Sequence, residues 1–474
     1  MTDSDHTLTS PLPASTPGGG ALLGVTIAWH PETRRVGEQF VGLAEAGTVE
    51  LSRYLPAFRR PEGEGEGLGH VSVSRTAVRL VRDAEGGVTV CPPQSRMAIE
   101  LNGREIREPS HLTREQIAQG AILGLGRTVL LCLHWMHCLP RNNHVPGFIG
   151  VGTAAIATRE QIRQVAKTNA AVLLLGETGT GKEVAARAIH ALGKHAGAAM
   201  VCVNMATLSD TLAAADLFGA VRGAYTGAQT ARQGLFAQAQ DSTLFLDEIG
   251  NTPASVQPML LRVLESGEYR PLGATRDEHA NARLIAATDQ DLYGAGFNQA
   301  LLRRLEHFVI RIPPLRCRRE DIGLLLVHLL PAGERPAVPA ALVGWLLNHD
   351  WPGNVRDLSN VFRRVLLALE AGQQPDLAAM LNVAPAPAAD HAGPAAESGD
   401  KPLPAVVRRR LDGLQEEEIV AALENNDWTI RRAALALGIS RPSLYKLLEI
   451  HPQIRRRLLL RSDDDLGVGQ KEEV

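Results

Sequence analysis

The stretch Ala171-Val-Leu-Leu-Leu175-Gly176-Glu-Thr-Gly-Thr-Gly-Lys182-Glu183 decides the fold. A short apolar run ends in a glycine-rich turn, and a helical segment, EVAARAIHALGK (183–194), opens directly after it. The spacing G-x-x-x-x-G-K between a strand and a helix predicts a phosphate-binding loop. Glycines let successive backbone N–H groups turn toward phosphate oxygens, and the helix N-terminus adds a favourable dipole. The candidate nucleotide-binding residues are Gly176, Glu177, Thr178, Gly179, Thr180, Gly181, Lys182 and Glu183, with Lys182 set to neutralise the terminal phosphates of ATP. Glu183 stands where many such loops carry Ser or Thr, which leaves Thr180 or water as the magnesium contact.

Downstream, Leu244-Phe-Leu-Asp247-Glu248 is an apolar strand ending in two acids. Asp247 is the candidate to orient Mg2+ through water. Glu248 is the candidate to polarise the attacking water, because phosphoryl transfer needs positioning and charge compensation more than covalent chemistry. A third strand, Leu284-Ile-Ala-Ala-Thr288-Asp289, also ends in polar residues. Helical segments such as VQPMLLRVLESG (256–267) alternate with these strands, the signature of a parallel α/β sheet over residues 149–372.

The flanks differ in kind. Residues 1–20 read as a disordered polar tail and not as a signal peptide. Residues 21–139 hold short Val- and Thr-rich runs separated by turns such as Glu85-Gly86-Gly87, the pattern of an all-β sandwich. Within it, 121–139 is the most apolar long window, but Arg127, His134 and His137 make a buried strand the better reading than a membrane span. Residues 140–148 read as a linker, and so does the Ala/Pro-rich stretch 373–405. Residues 406–461 are helical by period, and 462–474 form an acidic tail.

The 474 residues carry a formal charge of −3, which excludes a globally basic nucleic-acid-coating protein. Residues 401–461 nevertheless hold twelve Lys and Arg against seven Asp and Glu, a local surplus of five. The five cysteines are scattered and form no C-x-x-C pair, so neither a disulfide framework nor a zinc finger is expected, and a cytoplasmic setting fits.

Taken in order, Gly176–Glu183, Leu217-Phe218-Gly219, Gly223-Ala-Tyr-Thr-Gly-Ala228, TLFLDEIG (243–250), LIAATDQDL (284–292), IPPLRCRREDI (312–322) and Trp351-Pro-Gly-Asn-Val-Arg356 resemble the AAA+ domain of sigma-54-dependent enhancer-binding activators. The resemblance covers residues 149–372. It implies that Gly223, Ala224, Tyr225, Thr226, Gly227 and Ala228 form the loop that touches sigma-54, with Tyr225 replacing the family's Phe. Glycines at both ends of such a loop let its tip project, and an aromatic offers contact area with few rotors to freeze. The resemblance also implies that Asn204 holds Glu248 and that Arg356 reaches the nucleotide from a small helical lid. Arg304 falls on the second arginine-finger position, with Arg303 beside it, but the first position is Asn298. Asp289 stands where the family favours Asn, and Ala220-Val221 replace its usual His-Glu.

The segment Thr429–Leu448 resembles a Fis-type helix-turn-helix, with Gly438 at the turn, Ser440 as the next helix cap, and Arg441, Ser443, Tyr445 and Lys446 as DNA-contact candidates. Residues 21–139 resemble a forkhead-associated domain through Leu51-Ser52-Arg53, Val73-Ser74-Arg75 and Asn102-Gly103. By that resemblance Arg53 and Ser74 would cradle a phosphothreonine of a partner protein.

The expected molecule is a multidomain transcriptional activator: a β-sandwich sensor, an α/β P-loop motor with a helical lid, and an all-α DNA reader. Resemblance implies ATP and Mg2+, a homo-oligomeric ring taken as a hexamer, sigma-54 with RNA polymerase as the target, and upstream enhancer DNA as the tether. Asn298 and Asp289 keep a second reading open, a DNA-binding scaffold that binds nucleotide but hydrolyses it slowly or not at all.

Overall fold

Alternating patterns in the first 140 residues build two sheets. The computed structural model describes residues 21–42, 47–225, 229–294, 296–331, 337–380 (of Ala378 the backbone alone), 420–423 and 437. One sheet orders its strands β2 (Gln39–Val41), β1 (Leu22–Trp29), β10 (Val129–Met136), β9 (Ala121–Leu125), β6 (Ile99–Leu101) and β7 (Arg104–Glu105). The other orders β3 (Gly47–Leu51), β4 (Val78–Arg82), β5 (Val88–Cys91) and β8 (Ser110–Leu112). A short helix α1 (Arg114–Ala118) starts at a capping box between Thr113 and Gln116. The inner faces share one apolar core, including Leu23, Val25, Leu80, Val90 and Leu131. The apolar window 121–139 is a hairpin of two strands, turning at Gly126-Arg127, both residues with positive φ.

The second half is a five-stranded parallel sheet in the order β12 (Val201–Asn204), β13 (Thr243–Asp247), β16 (Arg283–Thr288), β11 (Val172–Leu175), β17 (Phe308–Arg311). Its strands are continuous apolar runs because helices cover both faces. On one face lie α2 (Thr153–Ala166) and α3 (Lys182–Ala191), around Ile162, Val172, Ile189 and Phe245. On the other lie α4 (Ala213–Phe218), α5 (Leu235–Gln238), α6 (Gln257–Ser266) and α7 (Gln299–Leu305), around Phe218, Phe236, Leu246 and Leu301. A small hairpin, β14 (Glu268–Tyr269) with β15 (Glu278–His279), follows α6. The lid comprises α8 (Ile322–Leu329), α9 (Ala340–Asn348), α10 (Asn354–Glu370) and α11 (Leu377–Met380).

The segment 140–148, read as a linker, is packed: Val145 and Phe148 are buried in the α2–α3 face, and Asn143 donates to the Ile156 carbonyl while accepting from Arg159. The sandwich also packs on the lid, since Ala28, Trp29, Ile122, Leu130 and Cys132 from its outer face share one core with Ile322, Leu326, Val343 and Trp351. The alternation in β1 and β10 leaves both faces apolar, which a free sandwich sheet would not require. Residues 1–20, the greater part of 373–405, the tail 462–474 and nearly all of 406–461 lie outside the described residues; within the last, 420–423 are helical and Leu423 is buried.

Candidate nucleotide site

The phosphate loop leaves β11, which lies between the central strand β16 and the edge strand β17, and β13 and β16 end on the same side, so three strand ends converge at the carboxyl edge of the sheet, where α/β folds bind ligands. Gly179 (φ 79°) and Gly181 (φ 106°) take left-handed conformations that other residues avoid. A Cβ built on Gly181 would meet nothing within 4 Å, so the space beside this end of the loop is open. Lys182 is buried, and its Nζ donates to the carbonyls of Gly176 (2.8 Å) and Glu177 (3.4 Å), which hold the ammonium over the loop. Thr180 is also buried, its hydroxyl donating to Glu177 O at 2.8 Å. Glu183 instead pairs along the helix surface with Arg187, four residues on.

Asp247 ends β13, and its Oδ1 accepts from the Glu248 amide at 3.0 Å. Glu248 sits in the left-handed region at φ 53°. Burial, then the neighbouring Asp289 carboxylate, pushes the Glu248 carboxyl above its ordinary value. Asp289 is held below its ordinary value, chiefly by the Thr178 hydroxyl, which donates to it at 2.6 Å. Asp289 is thus bonded to the phosphate loop while its charge acts on Glu248. Asn204 lies beside Asp247 in the β12–β13 register, and its Oδ1 accepts from Ala206 N as a turn cap.

The lid closes on the same loop. A Cβ on Gly179 would fall 2.2 Å from the Gly353 carbonyl oxygen and 3.1 Å from the Cβ of Arg356, whose side chain is exposed. Val355 N donates to Gly179 O. Three residues that sequence reading did not assign make this contact. Arg316 binds Glu177 through two bonds of 2.8 and 2.6 Å and holds that carboxyl down at about 2. Asn354, fully buried, donates to Thr178 O and Glu177 and accepts from Leu315 N. Arg318, also buried, donates to Thr180 O at 3.0 Å. All three lie in the motifs LRCRRED and WPGNVR, which were visible, but their partners are more than 130 residues away.

Asn298 has a structural reason to differ from a finger arginine. It caps α7, its Oδ1 accepting from Ala300 N and Leu301 N. Arg303 and Arg304 are exposed on that helix, and Arg304 pairs with Glu265 at 3.2 Å. In the projecting loop, Gly223, Ala224 and Tyr225 are described, and Thr226, Gly227 and Ala228 lie outside the described residues. The loop base is braced where buried Ala220 forms backbone bridges to Arg232 and Leu272. Arg53 donates to the carbonyls of Val73 (3.0 Å) and Val71 (2.6 Å). The Ser74 amide donates to Met97 Sδ, and the Ser74 hydroxyl accepts from Thr76 N. Arg441, Ser443, Tyr445 and Lys446 lie outside the described residues.

A P-loop, an acidic strand end beside it and a helical lid resting on the loop define an AAA+ nucleotide-binding protein. The Sigma-54 interaction domain profile matches residues 148–311, the AAA+ ATPase lid domain 316–388, and the bacterial regulatory protein, Fis family, 411–449. The Nif-specific regulatory protein of Azotobacter vinelandii is 39% identical over 310 residues, 63% of this chain and 57% of its own length. The DNA-binding transcriptional activator HyfR of Escherichia coli (strain K12) is 44% identical over 218 residues, 44% of this chain and 32% of its own. The transcriptional regulatory protein ZraR of Klebsiella oxytoca is 38% identical over 309 residues, 63% of this chain and 67% of its own. The chain thus spans about half or less of the first two relatives. It belongs to the family of sigma-54-dependent transcriptional activators, with an AAA+ domain and a Fis-type DNA-binding domain.

Proposed function

We propose that the chain hydrolyses ATP and uses the cycle to move residues 223–228 against sigma-54, remodelling the closed RNA polymerase complex. The convergence of Lys182, Asp247, Glu248 and Asp289 at one edge of the sheet, with Asn354 and Arg316 reaching in from the lid side, carries this reading. The open side of Gly181 and the backbone-held Lys182 fit a polyphosphate. Asp247 is the residue to hold Mg2+ through water; the ion would neutralise charge on the phosphates. Glu248 orients the attacking water, and Arg356 meets the phosphates from the lid. Arg303 or Arg304 of a neighbouring copy completes the site, which makes the active form a ring, a hexamer by family resemblance. The Fis-type domain tethers it to upstream DNA through Arg441, Ser443, Tyr445 and Lys446.

Replacing Lys182 by Ala tests the motor directly: ATP turnover should vanish while DNA binding persists, and undiminished promoter activation by this variant would end the motor reading. One observation favours the second reading, a slow or non-hydrolysing scaffold: Asn298 serves as a helix cap and leaves a single register position for the finger. At the sandwich loops, a phosphothreonine partner would have to draw Arg53 away from two carbonyls, so that role stands as a proposal with a ready test, titration with a phosphothreonine peptide.

A further inference from the structure

The outer face of the sandwich is seated on the lid with no gap. Trp29, Leu130 and Cys132 share an apolar core with Ile322, Leu326 and Val343. A Cβ built on Gly323 would stand 1.8 Å from the Ala28 carbonyl oxygen, and one on Gly120 would stand 2.9 Å from the Cβ of Arg319. Both glycines therefore mark places where backbone meets the neighbouring layer. Cys132 is fully buried here.

The segment 315–321, which links this face to the motor, touches two things. Toward the sandwich, Glu320 Oε1 lies 4.0 Å from His134 Nδ1, and the His134 ring is bonded through Nε2 to Thr26. Toward the motor, Arg316 grips Glu177, Arg318 holds Thr180 O, and Asp321 accepts from the amides of Val151 (2.6 Å) and Gly152 (2.9 Å). A second chain of contacts reaches the far loops of the sandwich. Arg35, buried beside the lid-facing corner at Val36, donates to the carbonyls of Glu66, Gly67 and Leu68, while Gly69 N donates to Arg53 O. The loop that carries Arg53 is thus tied to the corner that rests on the lid.

We propose that the sandwich is an intramolecular regulatory clamp on the lid, with segment 315–321 as the joint that couples its docking to occupancy of the phosphate loop. This rests on the nucleotide-binding reading. Anchoring the loop by a bound nucleotide steadies Arg316 and Arg318, and with them the sandwich seat. Coupling is reciprocal, so loosening the seat must weaken nucleotide binding by the same factor. The link consists of packed side chains and hydrogen bonds from one site to the other, the physical form such coupling takes.

Thiol labelling of Cys132 in the full chain, resolved from the other cysteines by peptide mass, reads the seat, and fluorescent ADP titration reads the loop. Saturating ADP should slow Cys132 labelling in the wild type by about fivefold or more, the lower end of usual coupling. G323A should speed labelling and weaken ADP by a similar factor, although alanine is the better helix former. G344A is the control: its Cβ would meet Leu130 at an ordinary 3.7 Å, and both readings should stay at wild-type values. ADP binding with Cys132 labelling unchanged within about twofold overturns the clamp and leaves the nucleotide site standing. No measurable ADP binding overturns the nucleotide reading itself, and the clamp with it. The wild-type measurement decides the matter even if G323A fails to fold.

Discussion

The glycines of the phosphate loop and those of the sandwich–lid seam are one residue type used in opposite ways. Gly181 is bare because space is kept for a ligand: a Cβ there would touch nothing. Gly323 is bare because the space is already filled by the Ala28 carbonyl of another layer. Gly179, in the same loop as Gly181, is of the second kind, pressed by Gly353 from the lid. The difference shows how to separate a binding site from a domain contact. One leaves an unfilled concavity beside charged groups, and the other a close approach of backbone with apolar neighbours.

The comparison can be broken most forcefully at Trp351, fully buried in the core that the sandwich and lid share, its Nε1 donating to Leu346 O. Trp351→Ala should cost about 3–5 kcal/mol, read by denaturant unfolding. A separate early transition for the sandwich, with the lid unaffected, would refute a common core. Next comes Gly181→Ala. Its cost should be about 1–2 kcal/mol, from the left-handed backbone alone, and nucleotide affinity should fall as the loop distorts. A gain in stability would show that the loop is not held at φ 106° in solution.

A pH dependence is expected from Glu320, whose carboxyl is pushed up to about 8 by burial and then by Asp321. In the unfolded chain it ionises near 4.5, while in the fold it stays protonated. The unfolded state therefore binds fewer protons between these values, so stability falls as pH rises from 4.5 to about 8 and levels off above. Glu320→Gln keeps the shape and should flatten that fall. An unchanged slope in thermal melts across pH 5–8 would place the titration elsewhere.

Much of the motor was legible in the chain. Strand–loop–helix order at 171–194 and the acidic end of 244–248 require only local pattern and known phosphate chemistry, and the parallel sheet follows from them. What stayed hidden depends on partners distant in sequence. Arg316 with Glu177 and Asn354 with Thr178 are separated by 139 and 176 residues. The packing of 140–148 was hidden by its Pro, Asn and Gly content, which reads as a linker although Val145 and Phe148 are buried. The seam was hidden for another reason. A strand apolar on both faces, as β10 is, says that something covers it and not what does.

The central claim is that this chain is an assembling ATPase whose site is completed by a neighbour's arginine. Steady-state ATP turnover per chain, measured against protein concentration, tests it most directly, with the double variant Arg303→Ala, Arg304→Ala alongside. The account predicts turnover that rises with concentration and then saturates, and a loss of about 10³–10⁵ in the double variant while ADP still binds. Turnover independent of concentration and unchanged in the double variant would contradict it.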